Sequence, residues 1–407
     1  MAGQPETQPE TPKTRVVIAG GGVAALEAVI ALRKLAGHMV GITMVAPDDH
    51  FVYQPLSVGD PFALGPAKRY PLARVAEDLD ITLQEGSLAA VDHEARTIRS
   101  SDGGELSYDA LLVAVGAGRE PAYEHALTFR GQEDGERAHG LVQDLEGGYG
   151  KRIVFVVPPG TAWSLPLYEL ALMTAGRARE MSIADAEISI VTPEETPLAV
   201  FGVQASADVA KLLDEAGVTL KAGVHAEVER SGEVKLRPSG ETLSCDRIVA
   251  LPRIVARRID GLPAGENGFI PIDEHARVPG TEQVWAAGDG TTFPVKQGGI
   301  ACQQADAAAQ DIAQRAGADV VAEPFRPVLR GQLMTGSEPH FMRHHLEGGH
   351  GEDSEVSTHN LWRPPSKIAG VYLAPYLGEL PAAGPEREPE VPLAVSPSGE
   401  AGSRIWI

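Results

Sequence analysis

The sequence has few cysteines, no long apolar run and too few basic residues to balance its acids. Its two cysteines, Cys245 and Cys302, exclude the disulfide framework of a small secreted protein. No segment approaches the roughly 18 uninterrupted apolar residues that a membrane-spanning helix needs. The segment from Met1 to Lys13 is polar and proline-rich, a composition that predicts no signal peptide. We therefore expect a cytoplasmic protein without a transmembrane segment.

The shortage of basic residues excludes a second class of function. The chain carries 56 acidic and 35 basic residues, so its formal net charge is −21. A polyanion would be repelled, and no long stripe of lysine and arginine offsets this repulsion locally. The composition therefore predicts no nucleic-acid partner. A length of 407 residues predicts two or three domains, each large enough to bury its own core.

What the sequence does contain is a glycine-rich turn close to its start. Residues 16–25, VVIAGGGVAA, predict a buried strand, a turn and a helix start in the pattern G-x-G-x-x-A. Gly20 permits the tight turn, and Gly22 lets the backbone approach a pyrophosphate. The helix start at Val23 and Ala24 offers free N–H groups and the positive end of the helix dipole. The turn predicts a bound dinucleotide, with a purely structural turn as the alternative.

The pattern departs from its usual form after the second predicted strand, Val40 to Val45. Sites of this kind usually place an acidic residue at the end of that strand to bind the ribose hydroxyls. Here Ala46 and Pro47 occupy the place. Either Asp48 or Asp49 takes over the ribose contact from the loop, or both carboxylates are simply solvated.

Two later strands also end in small residues. Residues 108–117, YDALLVAVGA, place Ala114 and Gly116 at the end of an apolar strand, where backbone can approach a cofactor or form a structural turn. Residues 283–290, QVWAAGDG, place Asp289 between two glycines. Its side chain has little competition there for a ligand hydroxyl. This acid makes the third element the most specific of the three.

The residues between these two strands predict a second doubly wound unit. A strand from Arg152 to Val157 leads through a turn to an amphipathic helix from Trp163 to about Gly176, and further strands and helices alternate after it. Pro158 and Pro159 stand in that turn where phosphate-binding glycines would be expected. The sequence therefore predicts an α/β fold with two Rossmann-like domains, the second inserted in the first, plus a C-terminal interface segment.

The order of the three elements resembles the two-dinucleotide-domain flavoproteins related to the pyridine nucleotide-disulfide oxidoreductases, over about residues 14–375. Residues 49–56, DHFVYQPL, and 294–301, PVKQGGIA, are similar to the branch with sulfide:quinone oxidoreductase, flavocytochrome c sulfide dehydrogenase and type II NADH dehydrogenase. The resemblance implies a bound FAD. It implies FAD contacts at Gly20, Gly22, Val23, Ala24, Pro55, Ala114, Gly116, Gly288, Asp289, Gln297, Gly298, Gly299 and Ile300.

The same resemblance implies the role of one helix and the division of the chain into domains. A helix from Gly298 toward Arg315 would direct its positive end at the pyrimidine edge of the flavin and raise its reduction potential. The expected divisions are a disordered N-terminus (1–13), the first part of the FAD-binding domain (14–120), the inserted NAD(P)-type domain (121–267), the second part of the FAD-binding domain (268–323), the interface segment (324–380) and a flexible tail (381–407).

The redox cysteines of the sulfide-oxidising members of that branch are missing. Ser164 stands at the place in the inserted domain that we assign to one of them, and serine forms neither a persulfide nor a disulfide. Cys302 is the one candidate for a reactive thiol, because the dipole of the helix from Gly298 would lower its pKa. The alternative is a small buried core residue. No other catalytic residue is predicted.

The predicted function is an FAD-dependent oxidoreductase that passes electrons from a small donor through the flavin to a quinone-like or other acceptor. Two alternatives stay open: an NAD(P)H-dependent reductase of the type II NADH dehydrogenase kind, and a non-enzymatic flavin-binding or sensing module. Because Pro158 and Pro159 remove two backbone donors, we expect NAD(P)H binding to be weak or unconventional. The histidines His340, His344, His345, His350 and His359 are interpreted as solvated rather than metal-binding, and a homodimer is expected.

Overall fold

The computed structural model describes residues 13–346 and 354–380, and the predictions for the N-terminus up to residue 12, for the tail from residue 381 and for His350 lie outside these ranges. The helices are α1 (Val23–Ala36), α2 (Leu72–Asp78), α3 (Gly135–Glu146), α4 (Leu165–Glu180), α5 (Val203–Ala216), α6 (Gly298–Arg315) and α7 (Leu373–Glu379). The strands are β1 (Thr14–Ala19), β2 (Val40–Ala46), β3 (His50–Val52), β4 (Arg69–Pro71), β5 (Thr82–Glu85), β6 (Leu88–Asp92), β7 (Thr97–Ser100), β8 (Glu105–Ser107), β9 (Ala110–Val113), β10 (Gly118–Glu120), β11 (Leu127–Thr128), β12 (Arg152–Val156), β13 (Glu187–Val191), β14 (Val218–Lys221), β15 (His225–Arg230), β16 (Glu233–Arg237), β17 (Thr242–Ser244), β18 (Arg247–Ala250), β19 (Arg253–Val255), β20 (Val284–Ala286), β21 (Val328–Leu333), β22 (His340–His345) and β23 (Ser354–Ser357).

The first parallel sheet carries the N-terminal glycine turn. Its strands are arranged in the order β20-β9-β1-β2-β5, and every neighbouring pair is parallel. The strands are apolar on both faces because both faces are covered: helices lie on one face, and the antiparallel sheet β6-β7-β8 packs on the other through Leu88, Val91 and Ile98. Helices α1 and α6 pack against each other on one face, and the small residues Ala301, Ala305 and Ala308 of α6 permit a close approach.

A second parallel sheet has the order β11-β18-β12-β13-β14. All of its strands fall between β9 and β20 in the chain, so this unit is inserted within the first. Helices α4 and α5 pack on it through buried side chains such as Leu167, Tyr168 and Leu213. The two sheets make this an α/β fold with two Rossmann-like units, as the sequence predicts.

The remaining strands form small antiparallel sheets and one C-terminal sheet. The C-terminal sheet, β21-β22-β23, packs against α4 and α5 of the inserted unit. Helix α7 instead contacts α1 of the first unit. There the carboxylate of Glu27 accepts the backbone N–H groups of Tyr372 (2.9 Å) and Leu373 (2.6 Å). The C-terminal segment therefore contacts both Rossmann-like units.

Two kinds of feature are absent from the described part of the chain. None of its helices is long and apolar enough to cross a membrane. Within residues 13–346 and 354–380, no group of three or more histidine, cysteine, aspartate or glutamate side chains is arranged to hold a metal ion.

Candidate active site

A cavity of about 910 Å³ lies where the carboxyl ends of both parallel sheets meet the C-terminal sheet. The turns after β1, β9 and β20 line it from the first unit, residues 161–163, 165–166 and 251–252 from the inserted unit, and residues 330–332 from β21. Open parallel sheets bind ligands at this edge. The volume is at the upper end of the range for small-molecule and cofactor sites, about 300–1,000 Å³.

Most of the residues that the sequence nominates for the cofactor line this one cavity. They are Gly20, Gly22, Val23, Ala24, Pro55, Ala114, Gly116, Gly288, Asp289, Gln297 and Gly298. Gly299 and Ile300 lie outside the cavity wall. Ile300 is only 1% exposed, and its N–H donates to the side-chain oxygen of Gln297, the N-cap of α6, at 2.9 Å. At the start of α6, Gln297, Gly298 and Ala301 line the cavity.

The glycines of the first turn have two different structural roles. Gly20 has a φ of +133°, and a Cβ there would approach the carbonyl oxygen of Ala114 to 2.2 Å, so the fold itself requires glycine. A Cβ on Gly22 or Gly116 would meet no atom within 4 Å. Gly22 is also the N-cap of α1 and provides no side-chain hydrogen bond to it. The uncapped N-terminus of α1 therefore borders open space, which is the arrangement that a pyrophosphate needs.

Asp289 is the acidic side chain at the end of β20. The turn is fixed beneath it, since the N–H of Gly288 donates to Gln304 Oε1 at 2.7 Å. Burial raises the pKa of Asp289, and the nearby cations Arg119 and Lys296 oppose this rise. Burial also lowers the pKa of Lys296 to about 8. The cavity thus places a half-buried carboxyl near two cationic groups, a polar set suited to ligand hydroxyls and phosphates.

The loop after β2 carries both acids that the sequence analysis names as candidates for the ribose contact. Asp48 and Asp49 line the cavity, whereas Ala46 is part of β2 and pairs with Glu85. The Oδ1 atom of Asp49 lies 2.7 Å from His50 Nδ1, and this close contact lowers the pKa of Asp49. Both carboxylates therefore lie where they could contact the ribose of a ligand in the cavity.

Residues 14–311, from β1 to α6, match the family described as pyridine nucleotide-disulphide oxidoreductase. The chain belongs to this family. It is an FAD-dependent oxidoreductase of the flavoprotein class that the sequence resembles. The match includes all three turns that line the cavity from the first unit.

Individual relatives of the pyridine nucleotide-disulphide oxidoreductase family agree with this. The chain is 27% identical over 308 residues to human apoptosis-inducing factor 3, covering 69% of this chain but only 46% of that longer protein. It is 28% identical over 294 residues to an NADH dehydrogenase-like protein of Mycobacterium tuberculosis, covering 68% and 72% of the two chains. The solved sulfide:quinone oxidoreductase of Aquifex aeolicus superposes with a TM-score of 0.76 at 20% identity, covering 84% and 86%. That last likeness shows the shared fold.

In this family member, the turn before α4 exposes a different side chain to the cavity than the sequence indicates. Ser164 is 6% exposed, is not part of the cavity wall, and donates its hydroxyl to Glu194 Oε1 at 3.1 Å. Its neighbour Trp163 lines the cavity and packs edge-on against Phe201. The helix starts at Leu165 rather than at Trp163, so Trp163 and Ser164 both precede it. An aromatic surface therefore stands at this position.

Cys302 is not an activated thiol. It is fully buried, does not line the cavity, and lies beside Glu27 and Gly370. Burial, with the negative charges of Glu27 and Asp306 nearby, raises the pKa of the Cys302 thiol well above its ordinary value. The expected lowering by the helix dipole is therefore wrong, because a buried thiolate beside two acids costs more than the dipole returns.

We predict that a Cys302→Ala variant keeps the full rate of flavin reoxidation by a quinone. The substitution removes one buried sulfur atom, so the free energy of unfolding should fall by only about 1 kcal/mol. Stopped-flow absorbance of the reduced protein mixed with quinone measures the rate. Cys245→Ala, a second buried cysteine outside the cavity wall, is the matched control. A loss of rate of about tenfold or more in Cys302→Ala alone would contradict a structural role.

The cavity wall contains a buried ion pair that the sequence analysis did not predict. The side chains of Glu169 and Lys367 are 1% and 6% exposed, and Lys367 Nζ lies 2.6 Å from Glu169 Oε1. Lys367 also donates to the carbonyl of Pro55 (3.0 Å), and the N–H of Met334 donates to Glu169 (2.8 Å). Burial raises the pKa of Glu169, opposed by the Lys367 ammonium. Glu169 is the single charged residue in the apolar stretch 165–175. This isolated acid was the one sign in the sequence that a buried charge with a partner lies here.

Proposed function

We propose that the cavity holds FAD, with the pyrophosphate at the N-terminus of α1 beside Gly22, Val23 and Ala24, and with Asp289 toward the ribityl chain. The observation that carries this proposal is the open, uncapped glycine wall at Gly22 in a cavity of about 910 Å³. An uncapped helix N-terminus attracts a phosphate through its free N–H groups and its dipole. Arg119 and Lys296 add positive charge near Asp289.

In this proposal the protein passes electrons from a small donor to a quinone-like or other acceptor. FAD, when bound, supplies the redox chemistry, and the chain supplies position and electrostatics. Trp163, Leu165 and Phe129 give the cavity an apolar aromatic side, which suits a planar, weakly polar acceptor. Lys367 and Glu169 form an ion pair in the cavity wall, and Lys367 also donates to the carbonyl of Pro55.

The finer organisation is part of the same proposal. The FAD-binding domain would comprise residues 14–120 and 268–323, with the inserted domain at 121–267 and the interface segment at 324–380. A homodimer and a cytoplasmic location remain predictions from the sequence.

Anaerobic reduction and reoxidation test this function. We expect the flavin of the purified protein, once reduced with dithionite, to be reoxidised by a soluble quinone faster than by dioxygen alone. NADH, NADPH and sulfide, added in turn under anaerobic conditions, identify which donor class bleaches the flavin. A tightly held flavin that no donor reduces and no quinone reoxidises would instead indicate a binding or sensing module.

A further inference from the structure

The inserted unit presents an unusual N-terminus at α4, the position at which a Rossmann-like unit holds a dinucleotide phosphate. Three prolines, Pro158, Pro159 and Pro166, lie in the turn and in the first helical residues, and none has an N–H to donate. The N–H of Leu167 is already used, because it donates to the carbonyl of Ser164 at 3.0 Å. The three prolines and Leu167 therefore offer no backbone donor to a phosphate at this turn.

A carboxylate of the protein itself occupies the side-chain donors of this turn. Glu194 follows β13, the neighbouring strand of the sheet. It accepts hydrogen bonds from the hydroxyls of Ser164 (3.1 Å), Tyr168 (2.8 Å) and Thr192 (3.0 Å). Tyr168 and Thr192 are fully buried, so these bonds hold the carboxylate in one place. Glu194 is thus bound to the first turn of α4 as an external anion would be.

This arrangement changes the electrostatics of the helix end. The positive end of a helix dipole favours one negative group, and here the protein provides that group internally. A pyrophosphate that approached the same turn would meet a like charge, and like-charge juxtaposition opposes binding. It would also find the hydroxyls of Ser164 and Tyr168 already engaged.

We propose that Glu194 is a specificity-determining residue that excludes NADH and NADPH from the inserted unit, because its carboxylate engages the hydroxyls of Ser164 and Tyr168 and places a negative charge at the turn that a dinucleotide phosphate would approach. The donor then enters the main cavity directly, on the side formed by Trp163 and Leu165. That last step rests on the proposed flavin function, whereas the exclusion itself does not.

The first experiment uses the wild-type protein with its flavin bound. Isothermal titration with NADH and NADPH should give no saturable binding at millimolar concentration, and anaerobic mixing should not bleach the flavin. Saturable binding of either nucleotide in the micromolar range would overturn the proposal without any variant. Reduction by dithionite and the visible spectrum, recorded on the same sample, test the flavin function independently of the nucleotide result.

The second experiment assigns the effect to Glu194. Pro158→Gly with Pro159→Gly returns two backbone N–H groups to the turn, and on that background Glu194→Gln removes the like charge while it keeps a side chain of the same size. We expect NADH binding at least about tenfold tighter than in the matched Glu195→Gln variant, which removes the adjacent exposed charge. Equal affinities in the two variants, with melting temperatures that show both are folded, would overturn the role of Glu194.

Discussion

The Lys367→Met variant will unfold with a free energy about 3–5 kcal/mol lower than that of the parent protein, because it leaves the Glu169 carboxylate buried without a cation. The pair is 2.6 Å apart, and both side chains are almost completely buried. Denaturation by urea, followed by circular dichroism, measures the difference. The double variant Lys367→Met with Glu169→Gln should recover most of the loss, since it removes both charges. Equal stability of the single variant and the parent would contradict a buried ion pair.

The same variants have a defined pH dependence. Burial already raises the pKa of Glu169, and without Lys367 to oppose it the pKa rises further. A carboxyl whose pKa is higher in the folded than in the unfolded state, where it is about 4.3, stabilises the protein at low pH and loses that contribution as the pH rises toward the folded pKa. The stability gap between the single and double variants should therefore widen as the pH rises above about 4.3 and level off once the pH passes the folded-state pKa. A gap independent of pH would argue against a buried charge at Glu169.

The Gly22→Val variant will keep its fold and lose FAD affinity. A Cβ at Gly22 meets no protein atom within 4 Å, and its φ of −92° suits any residue, so the empty protein tolerates a side chain there. The side chain would occupy the space proposed for the pyrophosphate. Overpacking of about 1–3 kcal/mol corresponds to roughly 5- to 150-fold weaker binding. Quenching of flavin fluorescence on addition of apoprotein measures the dissociation constant.

Two other glycines serve as controls for Gly22→Val. Gly140→Val in α3 also enters open space but lies outside the cavity wall, so FAD affinity should not change. Gly20→Ala should lower the melting temperature, because of its positive φ and the contact with Ala114. If Gly22→Val binds FAD like the parent, the pyrophosphate does not lie at this turn.

Individual strands, turns and helix starts were predictable from the sequence, because the pattern of neighbouring residues largely determines them. An apolar run followed by a glycine turn predicted a strand and a helix start at Val23, and α1 begins at Val23. The start of α4 was less accurate. Helix was expected from Trp163, but the structure begins it at Leu165. Of the two residues just before this helix, Trp163 lines the cavity and Ser164 does not. Boundary residues are where sequence patterns are least accurate.

The parts of the site that escaped prediction depend on contacts between distant segments. Lys367 and Glu169 are 198 residues apart, and no spacing pattern links them. Cys302 illustrates the same limit, since its helix position indicated a lowered pKa. The acids that raise it instead come from α1 and from the next turn of α6. Burial is a property of the whole fold, and it outweighs a local dipole.

The visible absorption spectrum of the purified full-length protein tests the central claim most directly. We predict the two flavin bands, released by heat as FAD in a ratio near one per chain and restored when apoprotein is mixed with FAD. A protein that shows no flavin bands and takes up no FAD on reconstitution would contradict the assignment of the cavity and the function built on it.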